Sequence, residues 1–384
     1  MKKLAVATGT LVALLLLFEA GLRLAGYDPL GDFEGDRERM AVLRPSENEV
    51  LRYELQPGTR GFVWEAAVSV NALGFRDGEY ERDKPAGVRR ILGFGDSVTF
   101  GIGLPIEDTW PKQLERLARA TDPNIEVLNL GITGYDSLQE VELVEVCGLP
   151  LSPDEVVVAH HLNDLGRVSP ASRLVERITA RESAWKRLRA VQFVTSRLDT
   201  IALRRLEQNS FREAVFLEEN EAHIASVAGD AEVLGLMEKL AQTIGPEPLD
   251  YAHRYLRWYT SEARVGRLRH CWERLARHSA EHGFGVTVAL VPWLDDEGYA
   301  EAYDLAYSIA AHEARRAGFA VVAPVEIFRA AGLSRLRLGG KDRAHPSRAG
   351  HRILAQELAL ELGIDVPDEY RLRPESDPHG LQDR

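Results

Sequence analysis

From residue 88 onwards, short apolar segments alternate with longer amphipathic ones, and this alternation restricts the chain to few folds. The short segments that predict strands are 88–95, 125–131, 154–162, 284–292 and 319–324. Two of them, 154–162 and 284–292, are of the type that is buried on both faces of a sheet. Helical spacing of apolar residues is found in the segments 111–120, 137–147, 300–317 and 347–362. Strands separated by helices predict an α/β fold, with a parallel sheet covered by helices on both sides.

The N-terminus combines two lysines with a long apolar run. Lys2 and Lys3 precede this run, which is interrupted only by Glu19 and Arg23. A membrane-spanning helix needs about 20 residues, and leading lysines favour a cytoplasmic start with export of the rest of the chain. Because no small-residue cleavage site follows, we predict an uncleaved signal anchor at 1–26 and an extracytoplasmic location for the remainder. A cleaved signal peptide with secretion and a buried cytosolic helix remain alternatives.

The polarity and periodicity of the sequence divide the rest of the chain into segments. Residues 27–48 are polar and aperiodic, which predicts a linker. Residues 49–87 contain short alternating runs broken by turn residues, which predicts a small β appendage. The main α/β domain is expected at 88–362, with a helical insertion at 165–282 that could be a lid, a structural layer or a partner-binding surface. A polar tail follows at 363–384.

Charge and cysteine content exclude several classes of protein. The chain has 47 basic and 59 acidic residues, a formal net charge of −12, which argues against a nucleic-acid partner. Its two cysteines, Cys147 and Cys271, cannot build a disulfide scaffold, and no CxxC pair is available for zinc. One bond between them is chemically permitted after export, but two separate buried thiols are the simpler expectation.

A candidate nucleophile follows the first strand of the α/β region. The tripeptide Gly95-Asp96-Ser97 lies at the carboxyl edge of the sheet, where α/β proteins bind ligands. Glycine permits a tight turn that exposes the serine hydroxyl, although this could also be an ordinary turn. A serine nucleophile needs a base, usually histidine, and the base needs an orienting acceptor. His345, with Asp342 three residues earlier, could supply both; a surface histidine is the alternative.

Two further residues could stabilise an oxyanion. Gly131 follows the second strand and Asn163 follows the third, so both emerge at the same edge as Ser97. The backbone N–H groups of Gly131 and Ser97 and the Asn163 amide would place three donors around one oxygen. A single such donor lowers a barrier by ~3–4 kcal/mol. A plain turn glycine and a helix cap are the alternative interpretations.

The four residues Ser97, Gly131, Asn163 and His345, one in each block of sequence, resemble the marker residues of the SGNH/GDSL hydrolase superfamily. The resemblance implies a flavodoxin-like, three-layer αβα fold with five parallel strands. It also implies ester or acyl-transfer chemistry without a cofactor or metal ion. The apolar start and the NALGFRD segment at 71–77 are similar to a bacterial exported, membrane-anchored subset of that superfamily.

One position departs from the superfamily pattern. His161 stands where glycine is common, so we expect a narrower pocket beside Asn163. Trp110 and Trp293 could line the cleft, but core packing is the simpler expectation for both.

The predicted function is that of a serine esterase that cleaves O-acyl esters through an acyl-enzyme, with Ser97, His345 and Asp342 as the triad. Expected substrates are small-molecule or carbohydrate esters, such as acetyl esters of envelope or extracellular glycans. An O-acyltransferase that acts on a glycan remains an alternative. The second alternative is a non-catalytic envelope-binding or scaffold module with the same fold.

Overall fold

The computed structural model describes residues 2–26, 42–64, 66–166, 188, 190–191, 193–194, 224–250, 253–296, 298–340 and 342–368. Its helices are α1 (Lys2–Leu24), α2 (Ser97–Phe100), α3 (Trp110–Arg119), α4 (Ser137–Leu143), α5 (Ala231–Ile244), α6 (Glu262–His282), α7 (Ala300–Arg316), α8 (Val325–Ala331) and α9 (Arg348–Glu361). Its strands are β1 (Leu43–Pro45), β2 (Tyr53–Leu55), β3 (Arg60–Val63), β4 (Ala66–Ser69), β5 (Arg89–Gly95), β6 (Ile125–Asn129), β7 (Glu155–His160), β8 (Gly285–Leu290) and β9 (Ala320–Val322).

The central sheet has five parallel strands in the order β6-β5-β7-β8-β9. This is the strand order of a flavodoxin-like fold. The strands are added toward one edge of the sheet up to β6 and toward the other edge from β7 onward, so the strand order reverses between β5 and β7. The predicted α/β class and the five-stranded parallel sheet are therefore confirmed. Ligands of such sheets bind outside the carboxyl ends of the strands at this reversal, and Ser97 and Asn163 follow those two strands.

Both faces of the sheet are covered by helices. Along β5, Ile91 packs with α3 and α9 on one face, whereas Leu92 and Phe94 pack on the other face with α4, α6 and α7. Successive strand residues point to opposite sides, so a strand covered on both sides is apolar throughout. This explains the continuous apolar segments of the sequence.

The structure differs from the sequence prediction at the edges of the main domain. The predicted linker 27–48 contains β1, which pairs with β2, and Val42 and Leu43 are buried in the core. The predicted insertion 165–282 ends in α6, whose buried face packs on the sheet as the crossover helix between β7 and β8. Most of 167–223 lies outside the described residues, as do 27–41 of the linker and 369–384 of the tail.

The N-terminal helix is long and apolar enough to cross a bilayer over Val6–Leu24, a stretch of 19 residues. Its side chains are mostly exposed, in contrast to those of a core helix. The two cysteines are not bonded to each other, and Cys271 is buried on α6.

The β appendage is attached to the main domain by Arg76 of the NALGFRD segment. Its guanidinium is buried and donates to the carbonyls of Phe100 at 2.8 Å and Gly101 at 2.6 Å, at the end of α2. It also donates to the carbonyl of Ala67 on β4 at 3.3 Å. One buried side chain thus connects the β3–β4 hairpin to the short helix that begins at Ser97.

Candidate active site

Ser97 occupies a tight turn between β5 and α2. Gly95 has a φ of 150°, and a Cβ there would lie 2.3 Å from Thr99 Oγ1 and 3.0 Å from the Ala159 carbonyl. Glycine is therefore required at this position. Asp96 then caps α2 by accepting a hydrogen bond from the Val98 N–H at 2.8 Å. The Ser97 side chain emerges at the carboxyl edge of the sheet.

The histidine and the aspartate predicted from the sequence both lie at this serine. Ser97 Oγ is 2.8 Å from His345 Nε2, although the two residues are 248 positions apart in the chain. His345 Nδ1 lies 2.8 Å from Asp342 Oδ2. The loop between β9 and α9 holds this geometry, because the His345 carbonyl accepts from the Leu338 N–H and the Arg343 carbonyl from the Leu294 N–H, each at 2.9 Å.

The electrostatics of Asp342 favour its ionised form. Burial by itself would raise the pKa of this carboxyl, but hydrogen bonds from the His345 ring and from the backbone N–H groups of Ala344 and His345 outweigh it. The net effect lowers the pKa of Asp342 below its ordinary value. A carboxylate in this place fixes Nδ1 as the protonated nitrogen and leaves Nε2 to accept a proton from Ser97.

Asn163 is held in one orientation beside the serine. Its Nδ2 donates to Asp96 Oδ2 at 3.0 Å, and its Oδ1 accepts from His161 Nδ1. The amide therefore keeps one N–H that is not used by Asp96. The N–H of Ser97, the first residue of α2, binds no acceptor among the described residues. Asp96 Oδ2 also lies 3.3 Å from Ser97 Oγ, so the Asn163 amide and the serine hydroxyl contact the same oxygen.

Gly131 lies near the site, but its N–H is already engaged. It donates to Asn129 Oδ1 at 3.0 Å, and the residue is buried. A Cβ at Gly131 would lie 2.3 Å from the N atom of Phe100, so the glycine permits this loop to pack closely on α2. Gly134, in the same loop, has a φ of 81°, and its N–H has no partner within the described part of the chain.

His161 fills the position where a glycine was expected by resemblance. Its ring is buried and stacks on Trp293, with ring centroids 5.2 Å apart and an interplanar angle of 20°. Burial lowers the pKa of His161, so the ring is neutral and donates from Nδ1 to Asn163. Trp293 thus contacts the site indirectly, whereas Trp110 is fully buried in the core against Gly93.

Two groups of side chains among the described residues have ligand atoms close enough to hold a metal ion: His278, Glu281 and His282, and Asp230, His312 and Glu313. In the second group Arg269 already donates to both carboxylates, at 2.6 Å and 2.5 Å. In the first group His278 Nε2 is bound to Glu145. Neither group includes a residue of the Ser97 site.

A model of the GDSL-like lipase/acylhydrolase family matches residues 94–353, which contain all the site residues described above. The chain belongs to this family. It is an ester-hydrolysing enzyme of the GDSL class.

Several solved structures are similar to this acylhydrolase at low sequence identity. A catalytic mutant of Axe2, an acetylxylan esterase from Geobacillus stearothermophilus, is 15% identical over 76% of this chain and 100% of that chain, with a TM-score of 0.43. TesA is 14% identical over 71% of this chain and 98% of its own, with a TM-score of 0.40. LAE5, an alpha/beta hydrolase from the metagenome of Lake Arreo in Spain, is 14% identical over 72% and 95%, with a TM-score of 0.38. No curated protein matches the chain.

Sequence reasoning missed two residues that contact the predicted site. Asp96 binds both Ser97 Oγ, at 3.3 Å, and Asn163, and its position inside the GDS tripeptide was the available signal. Trp64, at the tip of the β3–β4 hairpin, packs edge-on against His345. Nothing in the sequence around Trp64 indicates this contact, because it depends on how the appendage sits on the main domain.

Proposed function

We propose that this acylhydrolase cleaves O-acyl esters through an acyl-enzyme on Ser97, with His345 as the general base and Asp342 as its orienting partner. The observation that carries the proposal is the continuous line of two 2.8 Å contacts from Ser97 Oγ through the imidazole to Asp342. Both contacts are within hydrogen-bonding distance, as nucleophilic catalysis by serine requires.

In the first step Ser97 Oγ attacks the acyl carbonyl carbon while His345 Nε2 takes the hydroxyl proton. The resulting oxyanion accepts hydrogen bonds from the Ser97 N–H and from the Asn163 N–H that Asp96 does not use, with the 131–134 loop as the source of a third donor. Gly131, the donor expected from the sequence, would first have to release Asn129. Collapse of the intermediate breaks the bond to the alcohol oxygen, which receives the proton from His345.

In the second step water attacks the acyl-enzyme. His345 takes a proton from the water, the bond between the acyl carbon and Ser97 Oγ breaks, and the proton returns to Oγ. The acid leaves and the free enzyme is restored. If the hydroxyl of a glycan replaces water, the same residues transfer the acyl group to it, which is the acyltransferase alternative.

The proposed location and substrate follow from the N-terminal helix. An apolar segment of 19 residues supports a signal anchor at 1–26, with the catalytic part outside the cytoplasmic membrane. A bacterial periplasm or cell surface contains O-acetylated glycans and small esters. We infer that acetyl esters of envelope or extracellular carbohydrates are the substrates.

The test uses the full-length enzyme in detergent micelles. We expect it to react covalently with a fluorophosphonate and to hydrolyse a short-chain aryl ester. S97A should remove both activities, and H345A should remove nearly all turnover. S347A is the matched control: its hydroxyl is buried close to the site but makes no hydrogen bond among the described residues, so this variant should remain active.

A folded enzyme that neither reacts with the probe nor turns over a broad panel of acyl esters would contradict the proposal. Release of acetate, compared with its transfer to an added oligosaccharide, separates the hydrolase from the acyltransferase. Cleavage of the chain after the apolar helix, read by intact mass, separates the anchor from a signal peptide.

A further inference from the structure

Trp64 has a backbone conformation that is unfavourable for a large side chain. The strand pair Val63–Ala66 closes the β3–β4 hairpin, and Trp64 is the first residue of its two-residue tip. Its φ is 48°, in the left-handed region that glycine and asparagine adopt readily in such turns. The side chain is also 42% exposed. A large aromatic residue that is both strained and exposed suggests a role outside folding.

The indole of Trp64 lies against the proposed general base. Its ring centroid is 5.2 Å from that of His345, and the two planes meet at 80°. Such an edge-to-face contact covers only part of the indole, which agrees with its exposure. Phe62, which lies two residues earlier on β3, is 59% exposed. The hairpin therefore carries two exposed aromatic rings, and Trp64 contacts His345.

The position of this hairpin is fixed relative to the nucleophile. Arg76 bonds the carbonyl of Ala67, which pairs with Phe62 across the hairpin. The same guanidinium bonds the carbonyls that end α2, the helix that begins at Ser97. The hairpin that carries Trp64 is consequently bound to the same buried side chain that binds the end of the serine helix.

The direction of proton transfer in the proposed reaction indicates which portion of the ester, the alcohol or the acyl group, lies near Trp64. In the proposed reaction His345 delivers its proton to the alcohol oxygen as that group leaves, so the alcohol portion of the ester lies on the His345 side of Ser97. A side chain packed on His345 therefore lies on the side of the alcohol portion rather than on that of the acyl group. A flat, partly exposed indole is suited to the apolar face of a ring, whereas an acyclic alcohol offers it little surface.

We propose that Trp64 forms the alcohol subsite of the enzyme and selects esters whose alcohol is a sugar ring, by stacking on its apolar face. This inference rests on the proposed function and names the part of the substrate that the hairpin recognises. The appendage is then part of the substrate-binding surface, and Trp64 is a specificity-determining residue.

The experiment compares esters that share one acyl group. Full-length enzyme, W64G, W64F and F62A are assayed with an acetylated methyl glucoside and with ethyl acetate, and the decay of the acetyl-enzyme is followed by intact mass. W64G removes the ring and relieves the left-handed backbone, so its melting temperature should not fall. W64F keeps a ring, and F62A is the control for a neighbouring exposed aromatic.

We expect W64G to lower kcat/KM about tenfold for the glucoside ester, the scale of one aromatic contact. Its kcat/KM for ethyl acetate should change less than about twofold, and W64F and F62A should stay near wild type with both esters. Acetyl-enzyme decay should be unchanged in W64G, because the alcohol has already left.

Equal losses with both esters, or slower decay of the acetyl-enzyme, would show that Trp64 only supports His345 and would overturn the inference. Unchanged kinetics in W64G would overturn it as well. In either case the proposed function stands, provided that wild type forms the acetyl-enzyme. A wild-type enzyme that forms no acetyl-enzyme would instead refute the proposed function and this inference with it.

Discussion

The Asn163 amide donates to Asp96 Oδ2 at 3.0 Å and thereby joins the carboxyl ends of β7 and β5. Asp96 also caps α2 and contacts the Ser97 hydroxyl. One buried carboxylate thus positions the proposed nucleophile and one proposed oxyanion donor together. The order of the strands makes this contact available, because β5 and β7 are neighbours in the sheet.

Replacing this carboxylate should therefore affect stability and turnover together. In D96N an amide nitrogen replaces one acceptor oxygen, so either the cap or the bond to Asn163 is lost. We expect a loss of about 1–2 kcal/mol in the free energy of unfolding and a fall of roughly tenfold or more in kcat. D122N is the control, because Asp122 accepts from the Asn124 N–H in an exposed turn. Denaturant titration and steady-state kinetics measure both effects, and wild-type behaviour of D96N would contradict the assigned positions.

Gly131 should not tolerate even one methyl group. A Cβ there would lie 2.3 Å from the N atom of Phe100, so G131A must displace α2 and Ser97 with it. We expect a loss of about 1–3 kcal/mol in stability and a marked loss of activity. G235A is the matched control: nothing lies within 4 Å of a Cβ at this position of α5, and alanine favours the helix by about 1 kcal/mol. Equal melting temperatures for the two variants would refute the close packing at Gly131.

Arg76 should be essential to the fold of the appendage. Burial lowers its pKa to about 10, so it stays charged at neutral pH and binds carbonyl groups of α2 and β4. In R76M these acceptors lose their donor, and we expect a loss of about 2–4 kcal/mol in the free energy of unfolding. R315A, at an exposed position on α7, should be nearly neutral. Calorimetry measures the difference, and an equally stable R76M would contradict the assigned attachment.

His351 should make the fold sensitive to acid. Its buried Nδ1 accepts from the Trp110 N–H at 3.0 Å, and burial lowers its pKa to about 3. The unfolded chain binds a proton at this imidazole below about pH 6.5, whereas the folded protein does not until about pH 3. Stability therefore rises with pH across this window and is lost on acidification, by up to about 1.4 kcal/mol per pH unit.

The variant H351Q tests this linkage, because the glutamine oxygen can still accept from Trp110. Its free energy of unfolding should depend less on pH between 4 and 6 than that of the wild type. The dependence should not vanish, since burial also lowers the pKa of His160 to about 3. Identical slopes for wild type and H351Q in denaturant titrations at several pH values would disprove the contribution of His351.

The pattern of the sequence was sufficient for the central sheet. Polar and apolar residues repeat with the period of the local backbone, and a strand buried on both faces is apolar throughout, so β7 and β8 were recognisable from their own residues. The edge at which Ser97 and Asn163 emerge follows from the same argument, because the carboxyl ends of parallel strands lie together.

Other features of the molecule depend on contacts between distant segments, which have no local signature. The 2.8 Å approach of Ser97 to His345 spans 248 residues. The engagement of Gly131 by Asn129, the pairing of β1 with β2 inside a predicted linker, and the contact of Trp64 with His345 likewise appear only in the folded chain. Sequence periodicity reports what each segment buries, whereas the packing of whole elements decides which buried and exposed groups finally meet.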